Sequence, residues 1–184
     1  LRVAGIWRND FLQKLVEILA DKNLVRVSIV AANLRSLKKG KKFRFSKNGN
    51  VFRVSDGSTY VQFSNWQRGA HVYRAGVESR IANIVEGYCL ESVTGWGSGL
   101  VIDIGANYGD FTRAIKNFSP ESKMVLFEPV PMDARNLEEM FPEHAVNQVA
   151  LSNQRGHSTF YLSTKGGDSS LFEPVQGVDR SILV

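Results

Sequence analysis

The chain has 184 residues, 43% of them hydrophobic and 22% charged, with a formal net charge of +5, three histidines and one cysteine. That composition suits a folded domain rather than a disordered chain. No apolar run approaches the roughly 18 residues needed to cross a bilayer, one cysteine excludes an internal disulfide framework, and no C-x-x-C or H-E-x-x-H spacing indicates a metal; with no signal peptide visible, a soluble, cytoplasmic protein is expected.

Charge is spread unevenly. Residues 1–56 hold 13 Lys and Arg against 4 Asp and Glu, a balance of +9, and residues 57–184 hold 10 against 14, a balance of −4. The excess peaks from Lys38 to Lys47, where Lys39, Lys41, Lys42 and Arg44 lie between those two. Such a segment reads either as a lysine-solvated hairpin edge or as a surface for an anionic partner: nucleic acid, acidic lipid or a phosphorylated acceptor.

In chain order, Asn9 or Asp10 can cap a first helix in which Phe11, Leu12, Leu15, Ile18 and Leu19 recur at helical spacing. Residues 24–37 are ambiguous, because Val25, Val27 and Ile29 alternate as in a strand while Ala31–Leu37 read as helix. Phe43–Phe63 has the pattern of a β-meander, with Asn48-Gly49 and Asp56-Gly57 as its turns and Phe43, Phe45, Phe52, Tyr60 and Phe63 as its buried face. Trp66 and Trp96 sit in loops, where they either line an acceptor cleft or cover a core edge. Gly76–Val93 returns to helical periodicity, with Val77, Ile81, Ile84, Val85 and Tyr88 on one face and Cys89 expected as a buried thiol. Residues 1–75 are therefore read as an accessory region of helix plus basic meander, and 76–184 as a second domain.

Val101-Ile-Asp-Ile-Gly-Ala-Asn-Tyr-Gly-Asp110 runs an apolar strand through a glycine turn into a helix. Gly105 permits the sharp turn and Gly109 permits close approach of the first helical turn; Asn107 is the expected N-cap, answered by Asp110 as in a capping box. The dinucleotide fingerprint G-x-G-x-x-G would need glycine where Asn107 stands. Asp103 at the strand's end would repel a pyrophosphate but suits a ligand with an ammonium or sulfonium centre, and S-adenosylmethionine is such a ligand.

Lys123-Met-Val-Leu-Phe-Glu-Pro129 reads as a second buried strand ending in an acid, 19 residues after Gly109. An acid about 20 residues beyond the glycine turn is placed to hold a ribose diol, since a carboxylate accepts from two vicinal hydroxyls. Pro131 then opens a helix through about Phe141. Ala145–Gly156 supplies a third strand and a polar turn, and the strand's end, with Ala150, should face an adenine.

Taken together, D-I-G-A-N-Y-G, F-E-P-V-P, V-A-L-S-N-x-x-G and the later G-G-D-S-S-L-F resemble the FkbM family of S-adenosylmethionine-dependent methyltransferases over roughly residues 100–175. The resemblance implies an α/β fold with a Rossmann-like class I methyltransferase sheet. It also implies S-adenosylmethionine as cofactor and methyl transfer to a hydroxyl, often on a sugar or natural-product scaffold. Asp103, Gly105, Ala106, Asn107, Tyr108 and Gly109 match the cofactor loop; Glu128, with Pro129, matches the ribose-binding acid; Ser169, Ser170 and Leu171 match the S-S-L stretch. The family's later strand, approximately L-K-I-D-x-E-G-x-E, does not occur before Val184. The sheet is therefore expected to be truncated, with a strand edge open to pairing with another copy.

Transfer to a hydroxyl needs a base, which His71, His144, His157 or an acid of the family's later strand could supply; the sequence does not choose among them. Arg74 and Arg80 are candidates for the cofactor carboxylate, and Tyr108 for a shield over its methionine tail. Two other function classes stay open: an NAD(P)-binding oxidoreductase, disfavoured by Asp103 and Asn107, and a non-catalytic or nucleic-acid-binding module built on the basic segment. Base methylation is disfavoured by the lack of an N/D-P-P-Y motif.

Overall fold

The structure, a computed structural model, describes residues 3–21, 24–57, 59–94, 97, 99–163, 169–175 and 177–184. It is mixed α/β and divides into two compact units, Leu1–Ser79 and Arg80–Val184. Among the described residues no helix is long and apolar enough to cross a membrane.

In the first unit, helices α1 (Val3–Asp21) and α2 (Val25–Lys38) pack on one another, and α2 also packs on the first strand of an antiparallel meander, β1 (Phe43–Asn48), β2 (Val51–Asp56) and β3 (Thr59–Phe63). The first helix starts at Val3, so Asn9 and Asp10 lie inside it rather than capping it. The ambiguous stretch 24–37 is helix: Ser28, Ala31, Ala32, Arg35 and Ser36 form one buried face, and these mostly small residues let its neighbours approach. Asn33 pairs with the Phe45 peptide through both its amide groups (2.7 and 2.9 Å), and Ser36 Oγ donates to the Phe43 carbonyl (2.8 Å). Side chains of α2 thus satisfy the outer edge of β1, which otherwise would stand open to another strand.

The meander's inner face carries Phe43, Phe45, Phe52, Val54, Val61 and Phe63. Tyr60 is a correction to the expected face. Sixty and sixty-three differ by an odd number, so a regular strand sends them to opposite sides, and Tyr60 lies on the outer side beneath the Arg53 guanidinium, 3.7 Å from its ring centroid. Trp66 is also not a loop residue: it opens α3 (Trp66–Val72), is buried, and packs edge-on to Phe45 at 5.3 Å and beside Phe52 at 5.5 Å. Its indole N–H donates to Ser28 Oγ (2.9 Å), which donates in turn to the Val16 carbonyl (2.8 Å), so a polar relay crosses this core with its partners satisfied. Trp96 lies outside the described residues, as do Gly166, Gly167 and Asp168 of the G-G-D-S-S-L-F stretch.

The second unit is built on a three-stranded parallel sheet in the order β4 (Leu100–Ile104), β5 (Lys123–Phe127), β6 (Ala145–Asn147), with α5 (Asp110–Phe118) and α6 (Pro131–Met140) in the connections. Met124 and Leu126 of β5 face a core with Ile84, Leu90, Ala106, Ala114, Ile115, Leu137 and Phe141. The other face of β4 presents Leu100, Ile102 and Ile104 to solvent, and among the described residues its second edge pairs with no strand. The third strand is three residues long, and its chain continues from Gln148 to Ser158 without regular structure.

Helix α4 (Val77–Gly87) stops earlier than its periodicity predicts. Cys89 takes a left-handed conformation (φ 51°) ahead of a 3-10 turn, Leu90–Ser92, in which Leu90 is buried; the cysteine is exposed, not buried, and Tyr88 is exposed beside Phe111. The chain ends in an antiparallel pair, β7 (Thr159–Ser163) and β8 (Val178–Leu183), with a bridge from Tyr161 to Ser170.

Candidate functional site

Ligands of open α/β sheets bind where the strands' carboxyl ends splay into loops, and here three such loops meet. The chain leaves β4 at Ile104 and turns at once: the N–H groups of Gly105 and Ala106 both donate to the Phe127 carbonyl (2.9 and 3.0 Å), and Gly109 N–H closes on the Ala106 carbonyl (2.8 Å). The turn uses left-handed backbone at alternate residues, Gly105 (φ 75°), Asn107 (φ 49°) and Gly109 (φ 76°). Asparagine is among the few side-chain-bearing residues that tolerate this conformation.

The capping box is therefore a correction. Asn107 is spent on the turn, α5 starts at Asp110 after Gly109, and no side chain caps it. Asp110 pairs instead with Arg80, Nε to Oδ2 at 2.7 Å, which places a carboxylate at the positive end of α5 and engages the arginine that was a candidate for the cofactor carboxylate.

The two glycines have different surroundings. A Cβ on Gly109 would collide with Phe141 Cε2 and lie 2.9 Å from Leu137 Cδ2, so this residue is small because α6 packs against it. A Cβ on Gly105 would meet nothing within 4 Å, and the residue is exposed. Gly105 thus borders open space at the mouth of the strands, room for a ligand to lie against backbone.

Glu128 joins the loops. It follows β5, is 3% exposed, and accepts from Asn107 N–H through Oε2 (2.7 Å) and from Val130 N–H through Oε1 (2.9 Å). Its own N–H donates to the Asn147 carbonyl (3.0 Å), tying in the third loop. Burial pushes its carboxyl up to about 7, with Asp133 and Asp103 adding to the rise and the two N–H donors opposing it. Each carboxylate oxygen has a further acceptor site beyond the one in use. The spare acceptor sites are therefore compatible with the two hydroxyls of a diol, and the Asn107 N–H that a pyrophosphate would seek in this loop is already held by a carboxylate.

Asp103 is placed differently from its expected role. It is buried on the helix-facing side of β4, where Thr112 Oγ1 donates to Oδ2 (2.7 Å). Burial raises its carboxyl, against the hydroxyl and N–H of Thr112. The acid is thus bound to the start of α5, which fixes the turn between strand and helix. Thr112, nine residues on, and the buried Asp133 in the first turn of α6 are neighbours that sequence reasoning missed. An acid three positions after the N-cap of α6 carries a generic helix-start signal, while Thr112 carries none.

Of the remaining candidates, Ala106 and Tyr108 are both buried. Pro129 is buried and leads into Val130. Ala150 and Leu171 pack with Val130, Phe160, Leu162 and Ile182, which seats the β7–β8 pair beside the loop that follows Glu128. Ser169 Oγ accepts from Ser163 N–H (3.0 Å), so the S-S-L stretch is held along β7.

The histidines separate. The His144 side chain is buried beside Glu143 and stacked near Phe141, and burial lowers its pKa. His157 is exposed ahead of β7. His71 and Arg74 belong to the first unit, where Arg74 donates to the His71 carbonyl (3.1 Å). Among the described residues no group of three or more His, Cys, Asp or Glu is arranged to hold a metal ion.

Comparison of the chain with known protein families, with curated proteins and with solved structures gives no match.

Proposed function

We propose that residues 80–184 form the S-adenosylmethionine-binding part of a methyltransferase with a Rossmann-like class I sheet, acting on a hydroxyl of a sugar or natural-product-type small molecule. The observation that carries this reading is the placement of Glu128: a buried carboxylate anchored by the N–H groups of two loops, with spare acceptor sites, beside a glycine that borders open space. The motif resemblance over residues 100–175 supports the choice of cofactor and acceptor class.

When bound, S-adenosylmethionine supplies an electrophilic methyl group on a sulfonium. The chain's residues would do the rest. Glu128 would accept from the two ribose hydroxyls, the Gly105–Asn107 backbone would lie against the nucleoside, and the loop containing Ala150 would border the base. Asp103 would act through Thr112 as a positioning residue for the turn, with its charge contributing at a distance. Alignment and exclusion of water are the main contributions open to a protein in such an in-line displacement. No residue is assigned as the base.

Titration calorimetry with S-adenosylmethionine, S-adenosylhomocysteine and NAD tests the reading. Binding of the first two and not the third is expected, whereas binding of NAD alone would assign the site to nicotinamide chemistry. Glu128→Ala should weaken cofactor binding by roughly 1.5–3 kcal/mol, the range for hydrogen bonds to a charged group.

A further inference from the structure

Helix α2 is apolar on two sides. Its small-residue face is occupied within its own unit, yet Val27, Val30, Leu34 and Leu37 stand outward, 52%, 58%, 51% and 61% exposed. Spacings of three, four and three residues put all four on one stripe of the helix. Packing of the unit does not account for this stripe, and contiguous exposed aliphatic surface on a helix marks a contact with something else.

Charge narrows the choice of occupant. Residues 22–55 hold ten Lys and Arg and no Asp or Glu. Arg35 is buried, donating to the Arg74 carbonyl (3.0 Å), but Arg26 on α2 and Lys38, Lys39, Lys41 and Lys42 at and beyond its end are exposed. A second copy of the chain would bring cations against their equals, a repulsion that self-association must overcome. Nucleic acid would use the cations, but Val and Leu offer it neither base-edge hydrogen bonds nor stacking. The stripe is the convex ridge of a helix whose other side is packed, and its cationic rim matches negative headgroups. Apolar side chains flanked by Lys and Arg are the pattern by which a helix lies in the interface plane of a membrane.

We propose that the outer face of α2 docks the first unit onto the surface of an anionic lipid bilayer, with Val27, Val30, Leu34 and Leu37 entering the headgroup–acyl boundary and Arg26, Lys38, Lys39, Lys41 and Lys42 pairing with lipid phosphates and carboxylates. This is attachment to a surface, separate from any crossing of the membrane, and it stands independently of the cofactor assignment.

Vesicle flotation of the full chain tests it, using phosphatidylcholine vesicles with and without about one-third phosphatidylserine. Binding to the mixed vesicles, weakened by high salt, and little binding to phosphatidylcholine alone are expected. V30S/L34S should lower partitioning at least about tenfold, and K38Q/K39Q/K41Q/K42Q should lower it by several hundredfold, at roughly fivefold per cation near the surface. Far-UV circular dichroism checks that each variant folds, and L37Q alone serves as the milder probe if the double variant does not. Equal binding to both vesicle types, or mixed-vesicle binding that V30S/L34S and L37Q leave unchanged, overturns the proposal. Absence of binding to the mixed vesicles also overturns it; a concentration-dependent dimer that V30S/L34S abolishes would then assign the stripe to a second copy, and salt-sensitive binding to an RNA oligonucleotide that V30S/L34S leaves intact would assign the cations to nucleic acid.

Discussion

Alanine at Gly109 and at Gly105 should produce opposite phenotypes, although the residues are four apart in one loop with nearly equal backbone angles (φ 76° and 75°). Both substitutions carry the cost of a side chain in left-handed backbone, about 1–2 kcal/mol. At Gly109 the new methyl also collides with Phe141 and meets Leu137 Cδ2 at 2.9 Å. Overpacking of this kind adds about 1–3 kcal/mol, so the total is about 2–5 kcal/mol against a domain stability of about 5–15 kcal/mol. At Gly105 nothing lies within 4 Å, and the backbone cost stands alone. The same methyl, however, occupies the space assigned to the nucleoside, so Gly105→Ala should weaken S-adenosylhomocysteine binding by about tenfold or more, the equivalent of about 1.4 kcal/mol. Hydrogen exchange at the β5 amides reads the stability of the second unit separately, and calorimetry reads affinity. Equal destabilisation by Gly105→Ala and Gly109→Ala, or unchanged ligand affinity in Gly105→Ala, would show that Gly105 does not border the ligand.

Two further outcomes follow from buried polar groups. Ser28→Ala removes the acceptor of the Trp66 indole N–H and should cost about 1–3 kcal/mol in a urea titration of the first unit; a midpoint within error of the unsubstituted chain would show that the relay contributes nothing. Glu128 has a folded-state pKa of about 7, above its ordinary 4.5, so the folded state favours the neutral acid. The stability it contributes is full below about pH 4.5 and is lost as pH rises through 7. Affinity for a ribose diol should run the other way, rising from pH 6 to pH 8 as the carboxylate ionises. Glu128→Gln should flatten both dependences, while setting an amide NH2 against one of the two backbone N–H groups; slopes that persist in this variant would place the titration elsewhere.

The strand ends were legible because the acids and glycines mark them. An apolar run closed by Glu128, at a fixed distance from a glycine turn, announces a loop at a sheet's edge whatever lies around it. What the acids do there was less legible. Asp103 reads from sequence as facing a ligand, yet its partner is Thr112, and a single sequence does not signal a contact between a strand and the next helix's first turn. Asn107 satisfies the rule for a helix cap and equally the rule for a left-handed turn residue, and only the position of the helix start separates them. Similar ties explain the other misses. Val25, Val27 and Ile29 alternate as a strand would, but the same residues fall on a helix whose outer stripe is apolar. Cys89 follows a helical face by count, but the helix ends before reaching it. Tyr60, by contrast, was decidable from parity alone.

Chemical-shift mapping of the backbone amides on addition of S-adenosylhomocysteine shows whether the nucleoside lies against Glu128 and the Gly105–Asn107 turn. Saturable shifts are expected at Gly105–Asn107, at Glu128 and Val130, and near Ala150, with the Asn107 amide among the largest because its acceptor is the proposed ribose-binding carboxylate. Shifts confined to other surfaces, or an unperturbed spectrum at saturating ligand, would contradict this placement.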